Sequence, residues 1–405
     1  MNILFIVPYV PNLVRVRPFN LIRYLSDRGH HVTVLTVWTN EQERKEVNEF
    51  RLSSVNIEAF YLPLWRSLWN SLVTVPTSKP LQTSYCWQPE LAQRLSKLTN
   101  NANGQPKFDV VHVEHLRGVR YGIFLKSTNS HIPIVWDSVD CISHLFRQSA
   151  SKSGRRFNRW LTQFELHRTE RYEALLLNQF DRVLVTSSID RDALTKLASP
   201  PYAFWPITVL PNGVDLDYFQ PDNSVYRESE TLVVTGKMSY HANVAMVSHL
   251  VKEIMPFIWT DHPNTKLMIV GKDPPMDIVN LSQHPAITVT GTVKDIRPYI
   301  QRATIALAPL TYGAGIQNKV LEAMACGTPV VATPLAVSAL NIQDGQEILV
   351  SQEPETFAKS VIDLLENPDQ RNKVSQAGRK FVEEHHHWGS ITTQLEGIYH
   401  EVTHA

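Results

Sequence analysis

Short runs of aliphatic and β-branched residues alternate with longer amphipathic segments along the whole chain. Ile3–Val7 is followed by a helical pattern over Phe19–Arg28, then Gly29, then the apolar run His31–Val37. Val110–Val113 follows a polar, Asn-rich stretch, Ile134–Trp136 follows the next helical pattern, and Arg182–Thr186 follows a long helical segment around Arg156–Gln179. This alternation predicts parallel strands covered on both faces by helices and joined by right-handed crossovers. Pro200, Pro201, Pro206, Pro211 and Pro221 then interrupt the periodicity. The rhythm restarts with Thr231–Val234, a helix over Val244–Ile258, the runs Lys266–Val270, Ile287–Val289 and Thr304–Ala308, a helix over Ile316–Cys326, and Val330–Ala332. The expected organisation is two doubly wound domains, 1–205 and 206–388, and a closing segment 389–405 whose helix, Ser390–His400, crosses back to the first domain. Ligands of open α/β sheets bind at the carboxyl ends of the strands, so the expected site is a cleft between the two sheets.

Composition narrows the class. The 405 residues suit two domains, and 43% apolar against 19% charged residues is ordinary globular usage. Thirty-nine basic side chains balance 39 acidic ones, which argues against a nucleic-acid binder with its clustered excess of cations. Three scattered cysteines, Cys86, Cys141 and Cys326, form neither a disulfide framework nor a metal cassette and suit a reducing compartment. No apolar stretch approaches the length that spans a bilayer. The opening MNILFIVPYVP lacks a basic leader and is broken by Pro8 and Pro11, so it reads as a first strand of a cytoplasmic protein.

The most informative stretch is APLTYGAGIQNKVLEAMACGTPVV, starting at Ala308. An apolar strand ends near Pro309, Gly313 and Gly315 bracket a turn, and a helix expected from Ile316 stops at Gly327, a C-cap residue. Glycines ahead of a helix let the backbone approach an anion, which the free N–H groups and helix dipole then hold. Glu322 sits among Val320, Leu321, Ala323, Met324 and Ala325; a carboxylate in apolar surroundings needs partners, which ligand hydroxyls supply. A tight turn and a solvated glutamate are the plain alternative.

LPNGVDLDYFQP (210–221) resembles the interdomain signature of family 4 retaining glycosyltransferases, and EAMACGTPVV, from Glu322, resembles the second half of that family's Glu-x7-Glu motif. LMIVGKDP (267–274) and ITVTGTVKD (287–295) are similar to the intervening strands. The resemblance implies a GT-B fold: two Rossmann-like domains that face a central cleft, the second holding a nucleotide-diphospho-sugar, a UDP-sugar favoured. It implies no metal and no cofactor. Glu322 would bond the ribose hydroxyls, the amides from Gly315 through Ile316 and Gln317 to Asn318 would cradle the diphosphate, and the base would lie near Gly291, Thr292 and Val293. Two departures stand out. The first Glu of the motif is Ala314, so backbone amides of a variant Gly-Ala-Gly loop would replace its sugar contacts. Of the family's paired cations only Lys237 is present; the second slot is Ala242. Lys319 is the candidate to supply the missing charge, since stabilising the leaving group is the main catalytic demand.

In the first domain, Arg15 and Arg17 stand where relatives usually carry glycines; they would reach the donor diphosphate or an anionic acceptor, or belong to a solvated loop. In DVVHVEH (109–115) Glu114 takes the position of the family's active-site His and would orient or deprotonate the acceptor hydroxyl, with His115 an alternative and His112 core. Asp137 and Asp140 are further acceptor-side candidates. LPLWRSLWNSLVTV (62–75) carries Trp65, Leu68, Trp69 and Leu72 at helical spacing, and 155–171 holds five arginines with Trp160. Core packing and a solvated basic face are the expected readings; peripheral membrane contact with a lipid-linked glycan acceptor is the competing one. His385, His386 and His387 do not converge on a metal. A catalytically silent relative that binds sugar nucleotide, suggested by Ala314 and Ala242, is the alternative function. The motif set disfavours an epimerase, and the lack of Gly-x-Gly-x-x-Gly disfavours a dehydrogenase.

Overall fold

The computed structural model describes residues 1–12, 15–50, 55–100, 107–128, 131–152, 156–198, 207–222, 224–312 and 317–404. The chain divides into two compact units, Met1–Pro211 with Trp388–Ala405, and Asn212–His387. The first is built on seven strands: β1 (Asn2–Val7), β2 (His31–Trp38), β3 (Val55–Tyr61), β4 (Val110–Glu114), β5 (Ile134–Val139), β6 (Arg182–Val185) and β7 (Ile207–Val209). They pair in parallel in the order β3-β2-β1-β4-β5-β6-β7. The second unit carries β8 (Thr231–Thr235), β9 (Lys266–Val270), β10 (Ile287–Val289), β11 (Ile305–Ala308), β12 (Val330–Ala332) and β13 (Leu349–Val350). Their order is β10-β9-β8-β11-β12-β13, again parallel.

The central strands are apolar without alternation because both sheet faces are covered. Leu4 and Ile6 of β1 pack with Leu116, Val119 and Trp136 on one face. Ile3, Phe5 and Val7 pack on the other with Leu21, Ile22 and Leu25, and with Trp388, Leu395 and Tyr399 of the closing helix Trp388–Thr403.

Both topologies create one reversal. From β1 the chain builds outward through β2 and β3, then returns to place β4 on the other side; β8, β9, β10 and β11 repeat this. The carboxyl ends of β1 and β4, and of β8 and β11, are therefore the switch points where open α/β sheets receive ligands.

Three elements differ from expectation. The helix expected over Val244–Ile258 starts at His241 and continues to Asp261, with a π segment at Leu250–Ile254; Pro256 has no N–H to offer the turn before it, which loosens there. The helix expected from Ile316 begins at Asn318, with Gln317 as its extended N-cap residue. The segment Leu62–Val75 is helical over Leu64–Thr74, yet its aromatic stripe is exposed and not packed in the core. No described helix is long and apolar enough to cross a membrane.

Candidate active site

In the second unit the switch point gathers charge from both sides. After β8 the chain turns at Gly236, whose N–H donates to Val270 O at 3.1 Å. A Cβ on Gly271, at the end of β9, would stand 1.7 Å from Gly236 O, so only glycine allows these strand ends to approach. Lys237 follows, with its side chain exposed. Asn243, in the first turn of the helix His241–His249, is buried and uses both ends of its carboxamide: Nδ2 donates to Lys237 O at 2.9 Å, and Oδ1 accepts from Lys319 Nζ at 2.6 Å. Lys319 belongs to the helix Asn318–Ala325 that follows β11. Its ammonium thus ends one residue from Ala242, the empty cation slot.

Burial pushes the Lys319 amine down to about 8, against the pull of Glu322. Glu322, one turn further on, is raised to about 7 by burial, with Lys319 opposing. No described residue donates a hydrogen bond to its carboxylate. Asn318 Oδ1 is likewise buried with no hydrogen-bond partner among the described residues, and the side chain of the N-cap residue Gln317 makes no capping hydrogen bond to this helix. A helix N-terminus, an ammonium and two acceptors unfilled among the described residues suit an anion flanked by hydroxyl donors. Gly313, Ala314, Gly315 and Ile316 lie outside the described residues; Gln317 and Asn318 open the helix. The loop after β10 holds Gly291 at φ +67, an exposed Thr292 and a Val293 packed on the core. At the start of the helix His241–His249, His241 Nδ1 and the Tyr312 hydroxyl are 2.7 Å apart and their rings stack at 5.4 Å. Neither this pair nor Asn243 was singled out from the sequence, because each joins residues some 70 or more positions apart.

In the first unit, Glu114 ends β4 and Asp137 lies opposite it on β5. Tyr9, beyond β1, donates its hydroxyl to Glu114 Oε1 at 3.0 Å; Glu114 Oε2 is buried with no hydrogen-bond partner among the described residues. Burial and the charge of Asp137 raise Glu114 to about 8. Asp137, although buried, is held low, at about 2, by Arg17 and His112. With its proton on Nε2 facing Asp137 at 3.5 Å, His112 accepts the Tyr399 hydroxyl at Nδ1 at 2.8 Å. His112, Glu114 and Asp137 each bring a possible ligand atom within 4.8 Å of the others, but the cation that serves this cluster is Arg17. The backbone around it is strained: His115 and Val139 adopt φ +60 and +68, conformations that cost a β-branched residue about 1–3 kcal/mol.

Arg17 corrects an expectation. It is not poised for a ligand phosphate: 4% exposed, it gives Nε to Asp137 Oδ2 at 2.7 Å and Nη1 to Leu210 O and Pro211 O. A buried carboxylate needs this partner, which settles the competition for the guanidinium. Arg17→Met is expected to lower unfolding free energy by about 3–5 kcal/mol in denaturant titrations, with UDP affinity unchanged; the reverse pattern would return Arg17 to a ligand site. Arg15 is a third exposed and pairs with Glu43 at 3.1 Å while lying over the Tyr9 ring. His115 is kept neutral, at about 3, by burial and Arg117. Asp140 is raised to about 7 by burial and by Asp190.

Two doubly wound parallel-sheet units define the GT-B class of fold. Residues 14–218 match glycosyltransferase family 4, and residues 229–367 match the glycosyl transferases group 1. The chain belongs to glycosyltransferase family 4. Phosphatidyl-myo-inositol mannosyltransferase of Mycobacterium tuberculosis is 26% identical over 206 residues, 48% of this chain and 53% of that protein. An uncharacterized glycosyltransferase of Methanocaldococcus jannaschii is 27% identical over 89 residues, 22% of this chain and 23% of that one. The chain therefore spans about half or less of these curated relatives. Among solved structures, sucrose-phosphate synthase of Thermosynechococcus elongatus aligns with TM-score 0.71 at 17% identity over 99% of both chains. HepE of Anabaena, solved with UDP-glucose, aligns with TM-score 0.70 at 14% identity over 99% of this chain and 100% of that one.

Proposed function

We propose that the protein is a retaining glycosyltransferase that moves a sugar from a nucleotide-diphospho-sugar, a UDP-sugar in the first instance, to a hydroxyl of a glycan, glycolipid or small acceptor, without a metal. The observation that supports this reading is the placement of Lys319 and Glu322 on the helix after β11, with Asn243 joining Lys319 Nζ to the Lys237 backbone carbonyl beyond β8. Glu322 accepts the ribose hydroxyls. The amides of Gln317 and Asn318, continued by Gly313–Ile316, take the diphosphate, and the base rests against Gly291–Val293. Lys237 and Lys319 balance the charge that develops as the bond from the sugar's anomeric carbon to the diphosphate oxygen breaks. The acceptor oxygen bonds to that carbon on the same face, and its proton passes to the departing diphosphate. HepE, solved with UDP-glucose, supports the choice of donor.

Glu114, mostly protonated near neutral pH, donates a hydrogen bond from its unfilled oxygen and so orients the acceptor or sugar. Glu114→Gln keeps a donor there and is expected to reduce turnover only several-fold, whereas Glu114→Ala should reduce it about 10²-fold. UDP affinity should be unchanged in both variants, as read by calorimetry and by UDP release. The deciding experiment for the whole reading is a binding and turnover panel of UDP-, GDP- and ADP-sugars. Binding stabilises the fold in proportion to the logarithm of ligand excess. Failure of every nucleotide sugar to raise the melting temperature or release nucleoside diphosphate would end it.

A further inference from the structure

The helix Leu64–Thr74 is amphipathic in the inverted sense. Its polar stripe faces the protein: Ser67 and Thr74 are buried, Asn70 Nδ2 donates to Trp87 O at 2.9 Å, and Arg168 donates to Thr74 O and Val75 O at 2.9 and 3.1 Å. Its apolar stripe faces outward. Trp65, Leu68, Trp69 and Leu72 are each about 60% exposed, and Leu64 and Val73 extend the patch. Leaving such a contiguous apolar surface in water marks a covered surface, and no described residue of this unit covers it.

The surrounding charge selects the cover. From Ala59 to Pro89 there is no Asp or Glu, while Arg66 and Lys79 are present. Arg66 lies over the Trp65 ring at 5.1 Å. A pocket of about 210 Å³ opens beside Trp69, with Lys79 and Arg120 in its wall and no acid. Glu165, which accepts Leu81 N–H, is tied to Arg168 at 3.1 Å. Tryptophans with an apolar body, cations at the rim and no carboxylate match an anionic lipid surface.

We propose that this helix docks the protein on an anionic bilayer, with Trp65, Leu68, Trp69 and Leu72 entering the headgroup boundary and Arg66, Lys79 and Arg120 meeting lipid phosphates. The proposal stands independently of the transfer reaction. Its test is sedimentation of the full chain with vesicles of phosphatidylcholine alone and of phosphatidylcholine mixed equally with phosphatidylglycerol. Binding to the mixed vesicles should exceed binding to the neutral ones by at least about tenfold, weaken with salt, and shift tryptophan emission to the blue. Trp65→Ser with Trp69→Ser should reduce it by about tenfold or more, with melting temperature and UDP binding unchanged because both side chains are exposed. Absence of vesicle binding, or equal binding by the double variant, overturns the proposal. So does a solution dimer that the double variant converts to monomer, which would assign the patch to a second copy of the chain.

Discussion

Glu322→Gln is expected to weaken UDP binding by about 10- to 100-fold while making the ligand-free protein more stable at alkaline pH. The two effects have one origin. The carboxyl is partly buried, has no described hydrogen-bond donor, and is raised from its ordinary 4.5 to about 7. Between those pH values the folded chain holds a proton that the unfolded chain releases, so stability falls as pH rises through this window and stays reduced above it. Glutamine keeps the shape and removes the ionisation, so the gain over wild type should be absent below pH 4.5 and complete above about 7. The site holds an energetically unfavourable acid in waiting for a ligand. Ribose hydroxyls would bond the carboxylate with charge-assisted strength that an amide cannot equal. Melting curves at acid and alkaline pH, with UDP titrations, read both signs; a variant that binds UDP like wild type would remove Glu322 from the site.

Lys319→Met is expected to lower turnover by about 10²–10³-fold, the loss typical of removing one preorganised group that stabilises developing charge. UDP affinity should fall much less, because the charge on the leaving diphosphate grows only as the bond breaks. Lys319 suits this role by its restraint: Nζ is fixed by Asn243 at 2.6 Å and contacts Met246 Sδ at 3.7 Å. Wild-type kcat/KM, which reports the free enzyme, should rise as Glu322 ionises near 7 and decline as Lys319 loses its proton near 8. The alkaline limb should vanish in Lys319→Met, and Asn243→Ala should shift it downward, because the buried ammonium loses the amide oxygen that accepts from it. A variant that retains both rate and limb would leave Lys237 as the cation that matters.

Much of the fold was legible because strands buried on both faces must be largely apolar, and β1, β8 and β11 read that way. Glu322 was legible for the complementary reason, an acid among small apolar neighbours. The destination of Arg17 was not. Its partner Asp137 is 120 positions away, and an arginine in a loop near a strand end looks the same whether it meets a ligand or a buried carboxylate. Nor was Asn243, whose value lies in joining Lys237 and Lys319 across two helices' starts. The helix Leu64–Thr74 shows a third limit. Periodicity identified its apolar stripe, but which stripe meets the protein was decided by hydrogen bonds from Asn70 and Arg168 that no spacing reveals.

The closing helix has a consequence for how the chain is made. Trp388, Ile391, Leu395 and Tyr399 are fully buried against the face of the sheet that begins with β1, and the Tyr399 hydroxyl completes the bonding of His112. Emergence from the ribosome usually lets N-terminal domains fold first. Here the region Asn212–His387 is synthesised before the layer Trp388–Thr403 that completes this face of the earlier sheet, so that face gains its final cover only after both sheets have been made.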